Sequence, residues 1–345
     1  MRVLHAIAGA EFGGAETIAQ DTVAALAESG VEQHVVTRPW PIATERFAAT
    51  GVPVTHFGFS RVDSWLHRGV LKSAAKNFRA DVVHAWMSRA ASFVPADLPC
   101  PAAGWFGGYY DLKYYRHCDA AFGMTADIVA HIVKGGMPPE RAFEIHSFGT
   151  LDAQPPADRA ALATPADAPL VLVMSRLHEK KGIDTILHAL ARCPGLHLWI
   201  AGEGPKGAEY HALCTRLGLD DRVRFLGWRT DRAALYAAAD MVALPSRYEP
   251  FGTVITEAWA ASRPLIASRA AGAAAYVHDG VDGLLVPIDD VAALAQAMTR
   301  LANDADLRSR LVLGGRQAYE RGFTKEAVVK SLLGAYETML RLGKR

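Results

Sequence analysis

Several kinds of segment are absent from this 345-residue chain, and each absence excludes a class of protein. No uninterrupted apolar run approaches the ~20 residues that a membrane-spanning helix requires. The first apolar run, 3–8, is too short for the core of a signal peptide and is soon followed by Glu11. The formal net charge is only +1, which argues against a general nucleic-acid-binding protein. We therefore expect a protein of the cytoplasm.

Cysteine is scarce, and the usual metal and nucleotide motifs are missing. The four cysteines form no C-x-x-C pair, so we predict free thiols in a reducing compartment. The thirteen histidines show no zinc-binding spacing, and the only D-x-D string, 304–306, opens a charged helical pattern, so no metal site is predicted. Neither a P-loop nor a G-x-S-x-G elbow is present, which argues against an ATPase and an α/β-hydrolase.

Strand-like apolar segments alternate with helical patterns along almost the whole chain, and half of the residues are hydrophobic, enough for sizeable cores. This alternation is typical of α/β proteins with parallel sheets. A proline-rich segment, 153–169, interrupts it and predicts a linker. We therefore predict two α/β domains, 1–152 and 170–323. Their expected strands are 2–8, 32–37, 53–57, 81–85, 101–105 and 120–125, then 170–174, 196–201, 223–226, 241–244, 265–267 and 283–286.

The segment after the strand at 241–244 places two glutamates around a predicted helix start. Glu249 precedes the helix, and Glu257 lies one to two turns inside it. Backbone N–H groups at a helix N-terminus lack partners within the helix and attract anions together with the helix dipole. Taken alone, each glutamate is better interpreted as a solvated acidic side chain. Their spacing across Pro250, Phe251 and Gly252 favours a ligand site.

Two further loops lie where predicted strands end, the edge at which parallel sheets bind ligands. In the first, Gly13 and Gly14 precede Glu16, and paired glycines let a ligand approach the backbone, although a tight turn would also need them. In the second, Arg176 and Lys181 follow the strand at 170–174. An arginine fork with a flexible ammonium suits a diphosphate, and the alternative is a solvated basic loop.

The segment 202–207 supports an alternative function. It matches G-x-G-x-x-G after a strand and before a helix, with Asp220 and Asp221 beyond it, as in nicotinamide-dependent Rossmann-type oxidoreductases. Pro205 interrupts the turn, however, and this unit is the second in its half of the chain, not the first. The loop with Arg176 and Lys181 and the segment from Glu249 to Glu257 would also have no role in such an enzyme. We therefore rank the oxidoreductase second, and keep a non-catalytic sugar-binding module as a third hypothesis.

Residues 61–79 form a basic stretch of net charge +4, with apolar side chains between the cationic ones. An anionic membrane surface attracts such helices. An ordinary amphipathic crossover helix has the same pattern and is the commoner case. The cationic residues are Arg61, Arg68, Lys72, Lys76 and Arg79, and the apolar ones include Trp65 and Phe78.

Taken in order, the motifs resemble the retaining glycosyltransferases of family 4, which have the GT-B fold of two Rossmann-like domains facing across a cleft. The resemblance is strongest from 170 to 287. It implies transfer of a hexose-type sugar from a nucleotide sugar to a glycan or glycolipid, with a final helix in 324–345 packing toward the N-terminal, acceptor-side domain. The motifs are Gly13-Gly14-x-Glu16, Ser175-Arg176-Leu177 with Lys181-Gly182, Gly202-Glu203-Gly204-Pro205, 223–227, and Glu249-Pro250-Phe251-Gly252 through Glu257.

The resemblance also implies roles for individual residues. Arg176 and Lys181 would hold the donor diphosphate, Glu249 the transferred sugar and Glu257 the ribose. The implied route is same-face attack by the acceptor hydroxyl, with no protein nucleophile, metal or cofactor, because the nucleotide sugar is a co-substrate. The remaining donor contacts implied by position are Gly13, Gly14, Gly202, Arg229, Phe251, Gly252, Thr253 and Val254.

The acceptor side is less closely matched. Many family members carry a histidine after the fifth strand, but 104–111 has none, so His84 is only a candidate, and a satisfied strand-end histidine is an equal alternative. The aromatic loop with Tyr109 and Tyr110 looks like that of bacterial members that assemble lipopolysaccharide or other cell-surface glycans, and tyrosines suit sugar rings. Glu16 is a further acceptor-side candidate. The implied location is the cytoplasm, with peripheral contact at the inner membrane through 61–79.

Overall fold

The computed structural model of the protein describes residues 1–11, 13–60, 64–149, 151 and 154–345, without the side chains of 64–68. The described chain divides into two compact units, Met1–Ser147 with Lys325–Arg345, and Phe148–Thr324. Each unit is built on its own parallel sheet, as the alternating pattern predicts. None of the helices within the described ranges has the length and apolar character needed to cross a bilayer.

The first unit contains a seven-stranded sheet in the order β3-β2-β1-β4-β5-β6-β7. All six predicted strands are present, and the edge strand β7 was not predicted. Neighbouring strands pair in parallel, so their carboxyl ends lie at one edge. The strands are β1 (Arg2–Ile7), β2 (Glu32–Thr37), β3 (Val54–His56), β4 (Val82–Trp86), β5 (Ala102–Phe106), β6 (Ala120–Gly123) and β7 (Ala142–Glu144).

Helices connect these strands, and the last helix of the chain also belongs to this unit. That helix, α13 (Lys325–Leu342), buries Leu332, Tyr336 and Met339. The tail beyond it is held by Arg141, whose Nη1 donates to the Gly343 carbonyl over 2.8 Å. The other helices are α1 (Gly14–Glu28), α2 (Pro41–Ala49), α3 (Ser64–Phe78), α4 (Met87–Ala91) and α5 (Ala126–Lys134), with 3-10 turns at Leu112–Tyr115 and Pro139–Arg141.

The second unit contains a six-stranded parallel sheet in the order β10-β9-β8-β11-β12-β13, with all six predicted strands present. Its core is aliphatic, because strands buried on both faces by helices need apolar side chains throughout. The strands are β8 (Leu170–Met174), β9 (His197–Ala201), β10 (Val223–Gly227), β11 (Met241–Leu244), β12 (Leu265–Ser268) and β13 (Leu284–Val286). The helices are α6 (Ile183–Leu190), α7 (Gly207–Arg216), α8 (Arg232–Ala238), α9 (Thr253–Ala260), α10 (Ala271–Tyr276), α11 (Val291–Asn303) and α12 (Ala305–Gly322), and a 3-10 turn spans Glu179–Lys181.

The predicted linker packs on the second unit where it is described. Arg159 donates through Nη2 to the Ala238 carbonyl over 2.6 Å and pairs with Asp240 over 2.9 Å. Thr164 is 3% exposed and accepts a 2.8 Å hydrogen bond from the buried indole of Trp199. These partners fix 154–169 as part of the second unit, although proline prevents regular secondary structure there. The boundary residues Asp152 and Ala153 lie outside the described ranges.

Two buried histidines occupy the centre of the first sheet. His5 Nε2 lies 3.0 Å from Gln33 Oε1, and His5 Nδ1 accepts a 3.2 Å hydrogen bond from the Trp86 indole. The His5 ring therefore has its proton on Nε2, and a second proton on Nδ1 would face the indole N–H. Burial lowers the pKa of His5 to about 4. Burial, followed by the nearby His5, also holds the pKa of His84 well below its ordinary value.

We expect acid to destabilise the first unit through these histidines. An unfolded His5 binds a proton below about pH 6.5, whereas the folded residue stays neutral down to about pH 4. Stability is therefore complete above pH 6.5 and is lost as the pH falls toward 4, by roughly 3 kcal/mol for His5. Urea unfolding at several pH values should show this loss. His5→Gln should flatten the dependence, and the exposed His56→Gln should not; equal slopes in all three proteins would contradict the prediction.

The backbone before α6 lies very close to the end of β11. Gly182 has φ 65°, and a Cβ on it would lie 2.0 Å from the Pro245 carbonyl oxygen. Real Cβ atoms do not approach that closely, so this position requires glycine for its conformation and for its space. Gly195 has φ 81°, but an added Cβ would meet no atom within 4 Å, so this position favours glycine only for its backbone conformation.

Gly182→Ala should therefore destabilise the protein more than Gly195→Ala. Both substitutions cost roughly 1–2 kcal/mol for the left-handed backbone. Gly182→Ala adds an overpacking cost of about 1–3 kcal/mol, because Pro245 must move. The difference between the free energies of unfolding of the two variants measures the overpacking cost at position 182, because the backbone cost is common to both. Equal free energies of unfolding for the two variants would show that the segment after β11 can move aside with no loss of stability.

Candidate functional site

The carboxyl ends of β8, β9, β10 and β11 meet at one edge of the second sheet. In the strand register, Ala201 lies beside Met174 on one side and Gly227 on the other. The segments that leave these strands carry most of the predicted donor-site residues. Parallel sheets bind ligands at this edge.

Lys181 and Glu249, both predicted as catalytic, form an ion pair at this edge. Lys181 Nζ lies 2.6 Å from Glu249 Oε2, although 68 positions separate the residues. The side chains are 24% and 13% exposed, respectively. Lys181 ends the 3-10 turn, whose start is capped by the His178 side chain accepting from Lys180 N over 3.2 Å. A cation and a carboxylate thus neutralise each other, within reach of solvent.

The helix α9 begins directly beyond Glu249. Gly252 precedes its first residue with φ 88°, a left-handed conformation that favours glycine. No described side chain caps this end, so its first N–H groups are available to an anion. Phe251 is buried, while Thr253 and Val254 are partly exposed. The predicted amide donors are therefore grouped at one helix start beside the Lys181–Glu249 pair.

Contacts from α10 hold the loop that carries Glu249. Gly272 N donates to the Glu249 carbonyl over 2.7 Å, and the Tyr276 hydroxyl donates to the Phe251 carbonyl. A Cβ on Gly272 would lie 2.4 Å from the Phe251 carbonyl oxygen. Burial raises the pKa of Tyr276 well above its ordinary value, with the Glu249 charge a smaller cause, so the hydroxyl stays a donor. No local pattern in the sequence indicated this role for Tyr276.

Glu257 is only 4% exposed and is held by α8. Its Oε1 accepts from Arg232 Nη1 over 2.5 Å, and its Oε2 accepts from the Tyr236 hydroxyl over 2.8 Å. Arg232 and Tyr236 were not predicted, but their i,i+4 spacing places them on one helix face and was a usable signal.

Two glycines of 202–207, Gly202 and Gly204, are needed for close packing between loops. A Cβ on Gly202, at φ 141°, would lie 2.1 Å from the Ser175 carbonyl oxygen, and one on Gly204 would lie 2.4 Å from that of Leu177. Leu177 N also donates to the Glu203 carbonyl over 3.0 Å. The glycine pattern therefore has a structural cause other than a pyrophosphate, and the observation behind the oxidoreductase alternative no longer favours it.

The two predicted arginines differ in their surroundings. Arg229 forms a bidentate pair with Asp231, at 2.7 Å from Nε to Oδ1 and 2.5 Å from Nη2 to Oδ2. Arg176 is exposed, and no ion pair is found for it among the described residues. Its guanidinium is therefore available to a ligand, whereas that of Arg229 is already bound to Asp231.

In the first unit, Glu16 closes the loop that contains Gly13. Its Oε1 accepts from Ala10 N over 2.9 Å. A Cβ on Gly9 would lie 2.1 Å from Glu16 Oε1, and one on Gly13 would lie 2.2 Å from Glu16 Oε2. Glu16 thus bonds across its own loop and lies against both glycines. Gly13 and Gly14 are exposed, and their neighbour Phe12 lies outside the described residues.

His84 is buried in the core, which corrects its prediction as a cleft residue. It is 0% exposed, and its ring stacks on Trp86 at a centroid distance of 4.3 Å. His84 Nδ1 lies 2.7 Å from the Tyr336 hydroxyl on α13, 252 positions away. The helix returning from the end of the chain covers this strand residue, so it has no surface with which to touch an acceptor.

The aromatic loop after β5 remains at the surface. Tyr109 is 36% exposed, and its hydroxyl donates to Asp127. His131 Nε2 lies 2.8 Å from the Tyr110 carbonyl oxygen, so an α5 histidine fixes this loop. Both contacts restrain the loop that carries the two tyrosines, and the Tyr109 ring also packs edge-on against His131. No group of three or more His, Cys, Asp and Glu side chains in the described parts of the chain could hold a metal ion.

Comparisons with known proteins assign the family. The family described as Glycosyltransferase Family 4 matches residues 12–148, and that described as Glycosyl transferases group 1 matches 168–304. The lipopolysaccharide core biosynthesis glycosyltransferase LpsE of Rhizobium meliloti is 35% identical over 337 residues, 96% of this chain and 98% of LpsE. LpsD of the same organism is 34% identical over 343 residues, 98% of each chain.

Solved structures with the same fold are more distant in sequence. HepE of Anabaena, solved with UDP and glucose, has a TM-score of 0.84 at 23% identity, over 98% of this chain and 100% of HepE. A glycosyltransferase of Rickettsia africae has a TM-score of 0.88 at 17% identity, over 99% and 98% of the two chains. The identity and coverage of the Rhizobium relatives, with this shared fold, show that the chain belongs to glycosyltransferase family 4 and has the GT-B fold.

Proposed function

We propose that the protein is a retaining glycosyltransferase that moves a hexose from a nucleoside-diphosphate sugar to a glycan or glycolipid acceptor, without a metal ion. The observation that carries this proposal is the Lys181–Glu249 ion pair, 2.6 Å long, beside the start of α9. The Rhizobium relatives act in lipopolysaccharide core biosynthesis by name, which supports an acceptor of that class. HepE was solved with UDP, which makes UDP the first nucleotide to test.

Positive charge at this edge would stabilise the departing diphosphate. Breaking the anomeric C–O bond leaves negative charge on the phosphate oxygens. Arg176 is exposed and can offer a bidentate fork, and Lys181 can offer a point charge. Backbone amides at 251–254 would add donors at the helix start. These groups supply the charge that a metal ion supplies in other transferases, which is the reason to propose a metal-independent reaction.

Donor binding would divide the ion pair between two parts of the substrate. A diphosphate carries more negative charge than one carboxylate, so Lys181 is expected to turn toward it. Glu249 is then released to accept hydrogen bonds from the sugar hydroxyls and to face the positive charge that develops on the ring. In the same-face route, the acceptor hydroxyl attacks the anomeric carbon as the phosphate leaves, and its proton passes to a phosphate oxygen.

The remaining predicted contacts keep their places in this proposal. Glu257 would bind the ribose hydroxyls, and Gly202 and Arg229 would lie near the base. Gly13 and Gly14 would offer backbone amides to the donor. Tyr109 and Tyr110 would contribute ring faces to the acceptor. Glu16 would act indirectly, by shaping the glycine loop.

We expect Glu249→Gln to abolish transfer while leaving the fold intact, because the amide lacks the charge that faces the sugar ring. Removing one electrostatic stabiliser of a transition state typically costs ~10²–10³ in kcat. The assay is transfer from UDP-, GDP- and ADP-sugars in EDTA, with the anomeric configuration of the product read by NMR. We expect the wild-type product to retain the anomeric configuration of the donor, and we expect the variant to lose transfer activity. Wild-type turnover in Glu249→Gln would contradict the proposal, and inversion would contradict the same-face route.

The proposal includes a peripheral contact between α3 and an anionic membrane. Leu71 and Ala75 are each 1% exposed, so this part of the apolar face packs in the core of the first unit. Phe78 lies under Arg2 at 5.5 Å. Contact would therefore depend on cationic side chains, chiefly Lys72 and Lys76. Arg61, Trp65 and Arg68 of the same predicted stretch lie outside the residues whose side chains are described.

Lys72→Glu/Lys76→Glu should reduce pelleting with vesicles that contain anionic lipid, since each cation near such a surface contributes about 1 kcal/mol. A matched control is Lys134→Glu/Lys330→Glu, which changes the charge equally on other exposed helix positions of the same unit. If both double variants pellet like wild type, or lose binding equally, a specific role of α3 is wrong.

A further inference from the structure

Arg247 lies two residues before Glu249 and contacts three separate segments of the second unit. Its guanidinium donates to the Glu179 carbonyl over 2.5 Å, in the turn that ends at Lys181. It forms a bidentate pair with Asp184 of α6, at 2.9 Å to Oδ1 and 2.6 Å to Oδ2. It also pairs through Nε with Asp289, in the loop after β13, over 2.8 Å.

The backbone of the same segment holds the residue beside Lys181. Arg247 N and Tyr248 N donate to the Lys180 carbonyl over 2.8 and 3.2 Å. The Lys180 ammonium lies 5.0 Å from the centre of the Tyr248 ring, so its side chain is also directed to this segment. Arg247 therefore bonds to the two residues that precede Lys181, one through its side chain and one through its amide.

We propose that Arg247 is a positioning residue for sugar transfer, which sets the place of Lys181 opposite Glu249 by tying the turn Glu179–Lys181 to the segment after β11. This inference rests on the proposed function of that pair. The guanidinium donors of Arg247 are taken by Glu179, Asp184 and Asp289. It would act only through the residues that it holds.

The chemistry of the contacts requires arginine. A planar guanidinium can serve a bidentate carboxylate, a second carboxylate and a carbonyl at once, and a lysine ammonium cannot reproduce that fork. Asp184, followed by Asp289, raises the pKa of Arg247 above its already high value. The two carboxylates also balance the charge of Arg247, so it does not repel Lys180 and Lys181. Thr185 orients Asp289 by donating to Oδ1 over 2.9 Å.

Loss of this side chain should misplace Lys181 without removing the fold. The approach of Gly182 to Pro245 is a backbone contact and remains. The turn that precedes it would lose a carbonyl contact and its link to Asp184. A displacement of 1 Å at a reacting centre can cost ~10²-fold in rate. We therefore expect Arg247→Gln to lower kcat by roughly 10–100-fold and to weaken binding of free nucleoside diphosphate, with Arg247→Lys recovering part of both.

The experiment is a double-mutant cycle with Lys181→Met, read by calorimetry with the nucleoside diphosphate that wild type binds, together with kcat, KM and Tm. If Arg247 acts through Lys181, Arg247→Gln weakens binding in wild type but has less than about a twofold effect in Lys181→Met, because coupled residues are not additive. The matched control is Arg316→Gln, which removes an exposed pair with Glu320, 2.7 Å long, on α12. It should leave binding and kcat unchanged.

Two results overturn the inference while the proposed function stands. One is equal loss of binding on Arg247→Gln in both backgrounds, which is what general destabilisation gives. The other is an Arg247→Gln protein that binds and turns over like Arg316→Gln. A wild type that binds no nucleoside diphosphate and transfers no sugar overturns both proposals. If Arg247→Gln does not fold, Asp184→Asn/Asp289→Asn removes the carboxylate partners and enters the same cycle with the same criteria.

Discussion

The approach of two backbone segments, at Gly182 and Pro245, is the constraint on which the site depends. A Cβ at position 182 would lie 2.0 Å from the Pro245 carbonyl oxygen. Because glycine has no Cβ, the turn that carries Lys181 can lie directly against the segment after β11. Lys181 then meets Glu249 across 68 positions of sequence. The backbone contact and the bonds from Arg247 hold the two main chains, and the ion pair joins only their side chains. A ligand can therefore separate the charges without moving the scaffold, which favours a site prepared before binding.

Support from the opposite side completes this arrangement. The loop that carries Glu249 lies between the Lys181 turn and α10, where Gly272 and Tyr276 bond to its carbonyls. Beneath it the Phe251 and Tyr276 rings pack at a centroid distance of 5.2 Å, and both lie within reach of the Phe323 ring. Aromatic contacts of this kind resist displacement because several rings must move together. The loop that carries Glu249 is thus held from two sides by groups of the second unit.

The sequence predicted the parts of this arrangement that are local. Twelve strands and the positions of Lys181, Glu249 and Glu257 follow from strand-to-helix patterns, which need only neighbouring residues. Short helices such as α4 and α10 have too few residues for a periodic signal. Arg247 was visible in the sequence, but its partners Asp184 and Asp289 lie 63 and 42 positions away, so its role depends on the fold. His84 was placed on the correct strand, but its hydrogen-bond partner Tyr336 lies on α13, 252 positions away, so the contact depends on the fold.

The two glutamates around α9 differ in how they are held, and the difference suits the two ends of a nucleotide sugar. Glu257 is 4% exposed and bonded by Arg232 and Tyr236, so its position changes little whatever binds. Glu249 is bonded by a lysine whose side chain can leave it for a phosphate. In the proposed function, a fixed acid would suit the ribose, which is the same before and after transfer. An acid that changes partner on binding would suit the transferred sugar, whose charge would change during the proposed reaction. Both residues are glutamates on one short segment, so the difference in how firmly they are held comes from the partners of each carboxylate.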